Sequence, residues 1–132
     1  MKTSYYQNKK LDATKHLVVQ TSVGEPRFGT MPEWEMDSMK PPEELLGLPE
    51  KEYTKAYVAH LESIGFEAFR NELAELRDEA VKTQREVVLC CFESLKKPGQ
   101  FCHRRIFAWW YHKQGGIFIE ELGCPLVQPA LV

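Results

Sequence analysis

An α/β fold is what this sequence predicts: a small Rossmann-like three-layer sandwich with a mostly parallel sheet of about four strands. Three observations carry that prediction. Segments of strand character alternate with segments of helical periodicity. The run "EVVLCCF" is apolar almost without interruption, the mark of a strand covered on both faces. Two adjoining stretches between residues 49 and 83 carry apolar stripes at three- and four-residue spacing.

Taken in order, "TSYYQ" and "HLVVQTS" are short, β-branched and aromatic, and predict the first two strands. The connection "NKKLDATK" between them has the length of a tight link or one helical turn. Residues 23–50 form a Pro- and Gly-rich irregular excursion, and loops of that length tend to be functional. Pro49 suits a helix start and Gly65 a helix end, with Tyr53, Tyr57, Val58, Leu61 and Ile64 as the apolar stripe between them. "FEAFRNELAELRDEAVKT" repeats the pattern through Phe66, Phe69, Leu73, Leu76 and Ala80. The apolar strand follows, then a polar loop, then a helix over 102–113 that stops at Gly115-Gly116. "IFIEEL" predicts the last strand. These segments make one domain, 1–124, followed by a short tail, 125–132.

Composition narrows the function. The chain has 132 residues, 43% of them hydrophobic and 27% charged, which fits a folded globular domain and argues against disorder. A net charge of −2 excludes a uniformly basic nucleic-acid coat while leaving room for a local basic patch. No run approaches the ~18 apolar residues of a membrane span. The N-terminal residues lack the apolar middle of a signal peptide, so a cytoplasmic location and reduced cysteines are expected. Adjacent Cys90 and Cys91 point to opposite faces of their strand, so one of them is core. A zinc site would need ligands such as Cys91, Cys102, His103 and Cys124 to converge. No CxxC spacing supports it, and no metal is expected. With no GxGxxG and no GxxxxGK[ST], no nucleotide cofactor is expected either.

The chemistry concentrates in "ESLKKPGQFCHRR". Ligands of open α/β sheets bind beyond the carboxyl ends of the strands. Loops leave two such ends, one at Ser22 and Arg27, the other at Glu93, Cys102, His103 and Arg104. The unpaired amides at a helix start and the nearby guanidinium groups suit phosphate or carboxylate. A thiol at that position has its pKa lowered, which points to Cys102 as a nucleophile. Glu93 suits a general acid or base, or a clamp on Arg104. There is no cysteine followed six residues later by arginine, and no Gly-x-Ser-x-Gly elbow. Structural roles fit the same residues. His103 shares helical spacing with Ile106, Phe107 and Trp110, and Cys102 equally suits a small apolar filler.

"TSYYQNKKL", "VVQTSVGEPRF", "VVLCCFESLKKPGQFCHRRIFAWW" and "GIFIEEL" together resemble the domain of unknown function 488 family. The resemblance runs from about Lys2 to Leu122, and its most specific part is Cys-His-Arg after "LCCFE". It implies a small α/β domain in which a strand, an acidic residue and a Cys-His-Arg helix start come together. Ser22, Pro26, Arg27, Glu93, Cys102, His103 and Arg104 fall on its motif positions. Residues 31–49 depart from it, with no motif to align. The family's name carries no activity, so the resemblance implies a fold and a site and no reaction.

The function these residues support is an anion- or phosphate-binding, enzyme-like site. Cys102 and Glu93 are its catalytic candidates, and Ser22, Arg27, His103 and Arg104 its ligand-binding ones. The expected ligand is a nucleotide or nucleic acid. The rival is a non-catalytic protein-interaction module using the loop 29–42, whose Met31, Trp34, Met36 and Met39 are adaptable contact residues.

Overall fold

The structure, a computed structural model, describes residues 1–96 and 99–123. Five strands form one sheet in the order β3-β2-β4-β1-β5: β1 Lys2–Tyr5, β2 His16–Gln20, β3 Trp34–Glu35, β4 Glu86–Cys91 and β5 Glu120–Glu121. Every pairing is parallel. Among the described residues three α-helices, α1 Glu50–Ile64, α2 Phe66–Lys82 and α3 His103–Lys113, and two short 3₁₀ helices, Asp37–Met39 and Glu43–Leu45, accompany the sheet. The α/β class and the parallel sheet expected from the alternating pattern are therefore present. The strand beyond the expected four is β3, which lies inside the irregular excursion and is two residues long. So short a strand leaves no period to read. Of "IFIEEL" only Glu120 and Glu121 pair in the sheet. The expected tail, 125–132, and Cys124 lie outside the described residues.

The strand alternation separates two apolar clusters. Leu17 and Val19 of β2 and Val87 and Leu89 of β4 face one way, into a core that receives the apolar stripes of all three helices. Val18, Val88 and Cys90 face the other way and meet Tyr6, Leu11 and Leu122. Cys90 is thus core, while Cys91 falls on the face toward α3. Tyr53, Tyr57 and Leu61 recur every four residues on α1, and all three are buried. Gly65 separates α1 from α2 with φ +96°, and its amide donates to the Leu61 carbonyl at 2.9 Å. A side chain disfavours that backbone region, so glycine permits the abrupt turn between the helices.

The topology creates one crevice. After β2 the chain leaves toward β3 at one edge, and after β4 it leaves through α3 toward β5 at the other. β2 and β4 are neighbours, so their carboxyl ends diverge at a topological switch point. The loop after β2 is seated firmly: Thr30 donates its amide to the Tyr6 carbonyl at 2.9 Å, and Gly29 adopts φ +89° against that same carbonyl. A Cβ on Gly29 would overlap the Tyr6 backbone, whereas Gly47, at φ +93°, has open space around it. Gly29→Ala should therefore lower stability by about 1–3 kcal/mol, from strained backbone and steric overlap together. Gly47→Ala should cost less. Urea unfolding of the two variants measures the difference, and equal losses would contradict the close seating of this loop.

Candidate functional site

A cavity of about 550 Å³ occupies the switch point, lined by Ser22 to Gly24 after β2, Cys91 at the end of β4 with Phe92 and Glu93 after it, and Cys102 and His103 at the start of α3. Leu46, Leu48, Tyr53 and Phe101 supply apolar walls. Four of the residues singled out from sequence, Ser22, Glu93, Cys102 and His103, meet on this one cavity. Arg27 does not join them, lining a separate hollow with Tyr6, Glu25 and Phe28. Arg104 lies behind the cavity with no exposed surface.

The floor is made of sulfur. Cys91 and Cys102 are joined as a disulfide, with their Cα atoms 7.7 Å apart. The expectation of four reduced cysteines is corrected at these two. β4 delivers Cys91 to the end of the face toward α3, and 11 positions later the chain returns Cys102 to the N-cap of that helix. Among the described residues Cys90 is a free cysteine, and burial pushes its thiol pKa well up.

His103 is held in one tautomer. Its Nε2 lies 2.8 Å from the Thr21 carbonyl oxygen, which can only accept, so Nε2 carries the proton. The Thr21 hydroxyl, 3.1 Å from Nε2, donates to the Cys90 carbonyl at 2.9 Å and fits the same assignment. The lone pair of Nδ1 then faces Cys102 Sγ at 3.7 Å. Burial pushes the imidazole pKa down to about 4, so the ring is neutral at pH 7.

Ser22 is fixed by two oxygens. Its hydroxyl donates to the Gly24 carbonyl at 2.7 Å, so the Tyr6 hydroxyl, also at 2.7 Å, donates to it. Burial pushes the Tyr6 pKa up to about 12, which keeps this donor protonated. Glu93 Oε2 stands 3.4 Å from Cys91 Sγ at the cavity wall.

Sequence placed Arg104 among the ligand-binding groups, but its guanidinium is engaged elsewhere. It grips Glu121 in a bidentate pair, Nε to Oε1 at 3.0 Å and Nη2 to Oε2 at 2.7 Å, and turns Nη1 to Cys91 Sγ at 2.8 Å. Thr3 adds a hydroxyl donor to Glu121 Oε1 at 2.7 Å and accepts from Arg105 Nη1 at 2.8 Å. Glu121, Thr3 and Thr21 were not among the residues expected at the site. Glu121 had a readable signal, since it shares a strand face with the apolar Ile119 two residues earlier. The excursion expected as a contact surface divides. Met36 and Met39 are fully buried in the main core, whereas Met31 and Trp34 are exposed at the β3 edge.

No family model, curated protein or solved structure matches the chain. The meaning of the site therefore rests on its geometry.

Removing one partner of a buried ion pair leaves an uncompensated charge, at a cost of about 3–5 kcal/mol. Arg104→Ala and Glu121→Ala should each lose stability on that scale in urea unfolding. Arg104→Met combined with Glu121→Leu should recover part of it, because neither member of the pair is then left charged without the other. A double variant no better than the singles would contradict the assignment.

Proposed function

We propose that this protein is a cysteine-dependent, enzyme-like domain that binds a small ligand with an apolar body and one anionic group, such as a nucleotide, in the switch-point cavity. The observation that carries this reading is the position of Cys102. It forms part of the cavity wall and is the N-cap of α3, a helix whose start no side chain caps. The partial positive charge of that first turn favours a thiolate at Cys102 and an anion beside it.

The volume of about 550 Å³ suits a nucleotide-sized molecule, while the apolar walls give it little to grip on an extended nucleic-acid strand. Arg104 and Arg105 are occupied within the protein and are not needed as anion clamps in this reading. Arg104 acts through Cys91, as a positioning residue. Cys102 Sγ would attack an electrophilic centre of the ligand, forming the bond to sulfur as the bond to the departing group breaks, and the Glu93 carboxylate would take up the thiol proton and pass it to that departing group. His103 Nδ1 would accept the hydrogen bond of the thiol before attack and so orient it. Because the sulfur is bonded to Cys91, the disulfide form is inactive and reduction precedes activity.

Alkylation tests the reading in chelator-treated protein. After reduction, iodoacetamide near pH 7 should label Cys102 ahead of Cys90, whose thiol burial keeps protonated. Millimolar phosphate or a nucleoside monophosphate should slow that labelling. Mass spectrometry that finds Cys102 unlabelled in reduced protein, or labelled at the same rate with every anion, would overturn the reading.

A further inference from the structure

We propose that the reduced form of this protein binds a thiophilic metal ion of the zinc type through Cys91 Sγ, Cys102 Sγ and His103 Nδ1, with a fourth position open to the cavity. The inference shares the cavity with the reading above but does not depend on Cys102 being a nucleophile.

Three ligand atoms of the right kind already converge, all within 4.8 Å of one another and all buried. The sulfur-to-nitrogen spacing fits a tetrahedral ion, and reduction frees the two bonded sulfurs to separate around it. Bonds of roughly 2.3 Å to sulfur and 2.0–2.1 Å to nitrogen put ligand atoms about 3.5–3.8 Å apart. The Cys102 Sγ to His103 Nδ1 separation is 3.7 Å before any adjustment. The Cα atoms of Cys91 and Cys102 stand 7.7 Å apart, wider than the roughly 4.4–6.8 Å usual for a disulfide. Two thiolates sharing one ion have sulfurs further apart than a bonded pair and tolerate that Cα spacing.

The imidazole supplies a second, independent observation. A metal-bound histidine characteristically donates its remote N–H to a carbonyl or carboxylate, which fixes the tautomer and turns the other lone pair to the ion. His103 Nε2 does this to the Thr21 carbonyl at 2.8 Å, leaving the Nδ1 lone pair directed at the sulfurs. Arg104 Nη1 at 2.8 Å from Cys91 Sγ is placed to donate to a ligating thiolate.

Charge and atoms balance. A phosphine reductant converts the disulfide to two thiols, taking up the oxygen of one water. The ion then displaces both thiol protons to solvent. Two thiolates and a divalent cation sum to zero, the histidine is neutral, and Arg104 is offset by Glu121. The ion and its three ligands therefore add no net charge to the interior. Two cysteines and a histidine with a vacant fourth position are a donor set that suits catalytic rather than structural zinc. Glu93, whose Oε2 lies 3.4 Å from Cys91 Sγ, would stand beside that position as a proton acceptor for bound water.

The full chain, reduced and kept anaerobic, should be incubated with Zn²⁺ in excess Mg²⁺, desalted, and its metal measured. One zinc per chain is expected in the wild type. Cys91→Ser and Cys102→Ser should lose it, and Cys124→Ser should keep it. Co²⁺ should give thiolate-to-cobalt charge-transfer absorption in the wild type, a readout that stands even if a variant fails to fold by circular dichroism. Absence of both zinc and the cobalt band from reduced wild type would overturn the proposal, as would full zinc loading in folded Cys102→Ser. Metal loading is measured without ligand, and alkylation in chelator-treated protein, so either reading can fail while the other stands.

Discussion

The buried pairing of Arg104 with Glu121 is the constraint on which the rest of the site depends. Two consecutive arginines at the start of α3 have 0% and 3% of their surface exposed, a placement whose desolvation cost is several kcal/mol per ion unless charge and hydrogen bonds are matched. The match is geometric: a planar fork against a carboxylate, with Thr3 completing the carboxylate and linking it to Arg105. β5 is only two residues long and gains little from its own ladder. The ion pair ties it to α3, so the first turn of that helix cannot shift along the sheet without breaking the pair. Cys102 and His103 inherit their positions from this lock.

Much of this architecture was legible in the sequence because its signals were periodic. The stripes of α1 and α2 and the apolar run of β4 each repeat over several turns or pleats, so tertiary context had little to override. β3 was not legible, since two residues inside a Pro- and Gly-rich loop have no period. The loop's methionines show the same limit. Met36 and Met39 pack into the core while Met31 stays exposed, and composition treats all three alike.

The site was legible in part for a different reason. Cys102, His103, Glu93 and Ser22 were found because helix starts and strand ends are where backbone amides and loop side chains meet in any open α/β sheet. Arg104 and Arg27 were harder, because charge type says nothing of direction. The same guanidinium that suits a phosphate suits a buried carboxylate, and Glu121 lies 17 residues away on a different element. The disulfide escaped the sequence because cysteines separated by 11 positions carry no spacing signature, and the convergence of Cys91 with Cys102 and His103, weighed there for a metal, had no CxxC pair to support it.

One backbone oxygen links the two functional readings. The Thr21 carbonyl belongs to the extension of β2, where the Thr21 amide donates to Cys90 at 3.0 Å, so its direction is set by the sheet itself. By accepting from His103 Nε2 it obliges Nδ1 to present a lone pair to the sulfurs. A lone pair there serves equally as acceptor for a thiol proton or donor to a metal ion. The alternative tautomer would serve neither, because an Nδ1–H aimed at sulfur can only donate. The ring is enclosed on its other side by Tyr57, with centroids 5.7 Å apart at 76°, which blocks the rotation that would exchange the nitrogens. The direction of the Nδ1 lone pair at the cavity floor therefore follows from the parallel pairing of β2 with β4: the register that carries Thr21 past the end of the ladder also decides which nitrogen faces the cysteines.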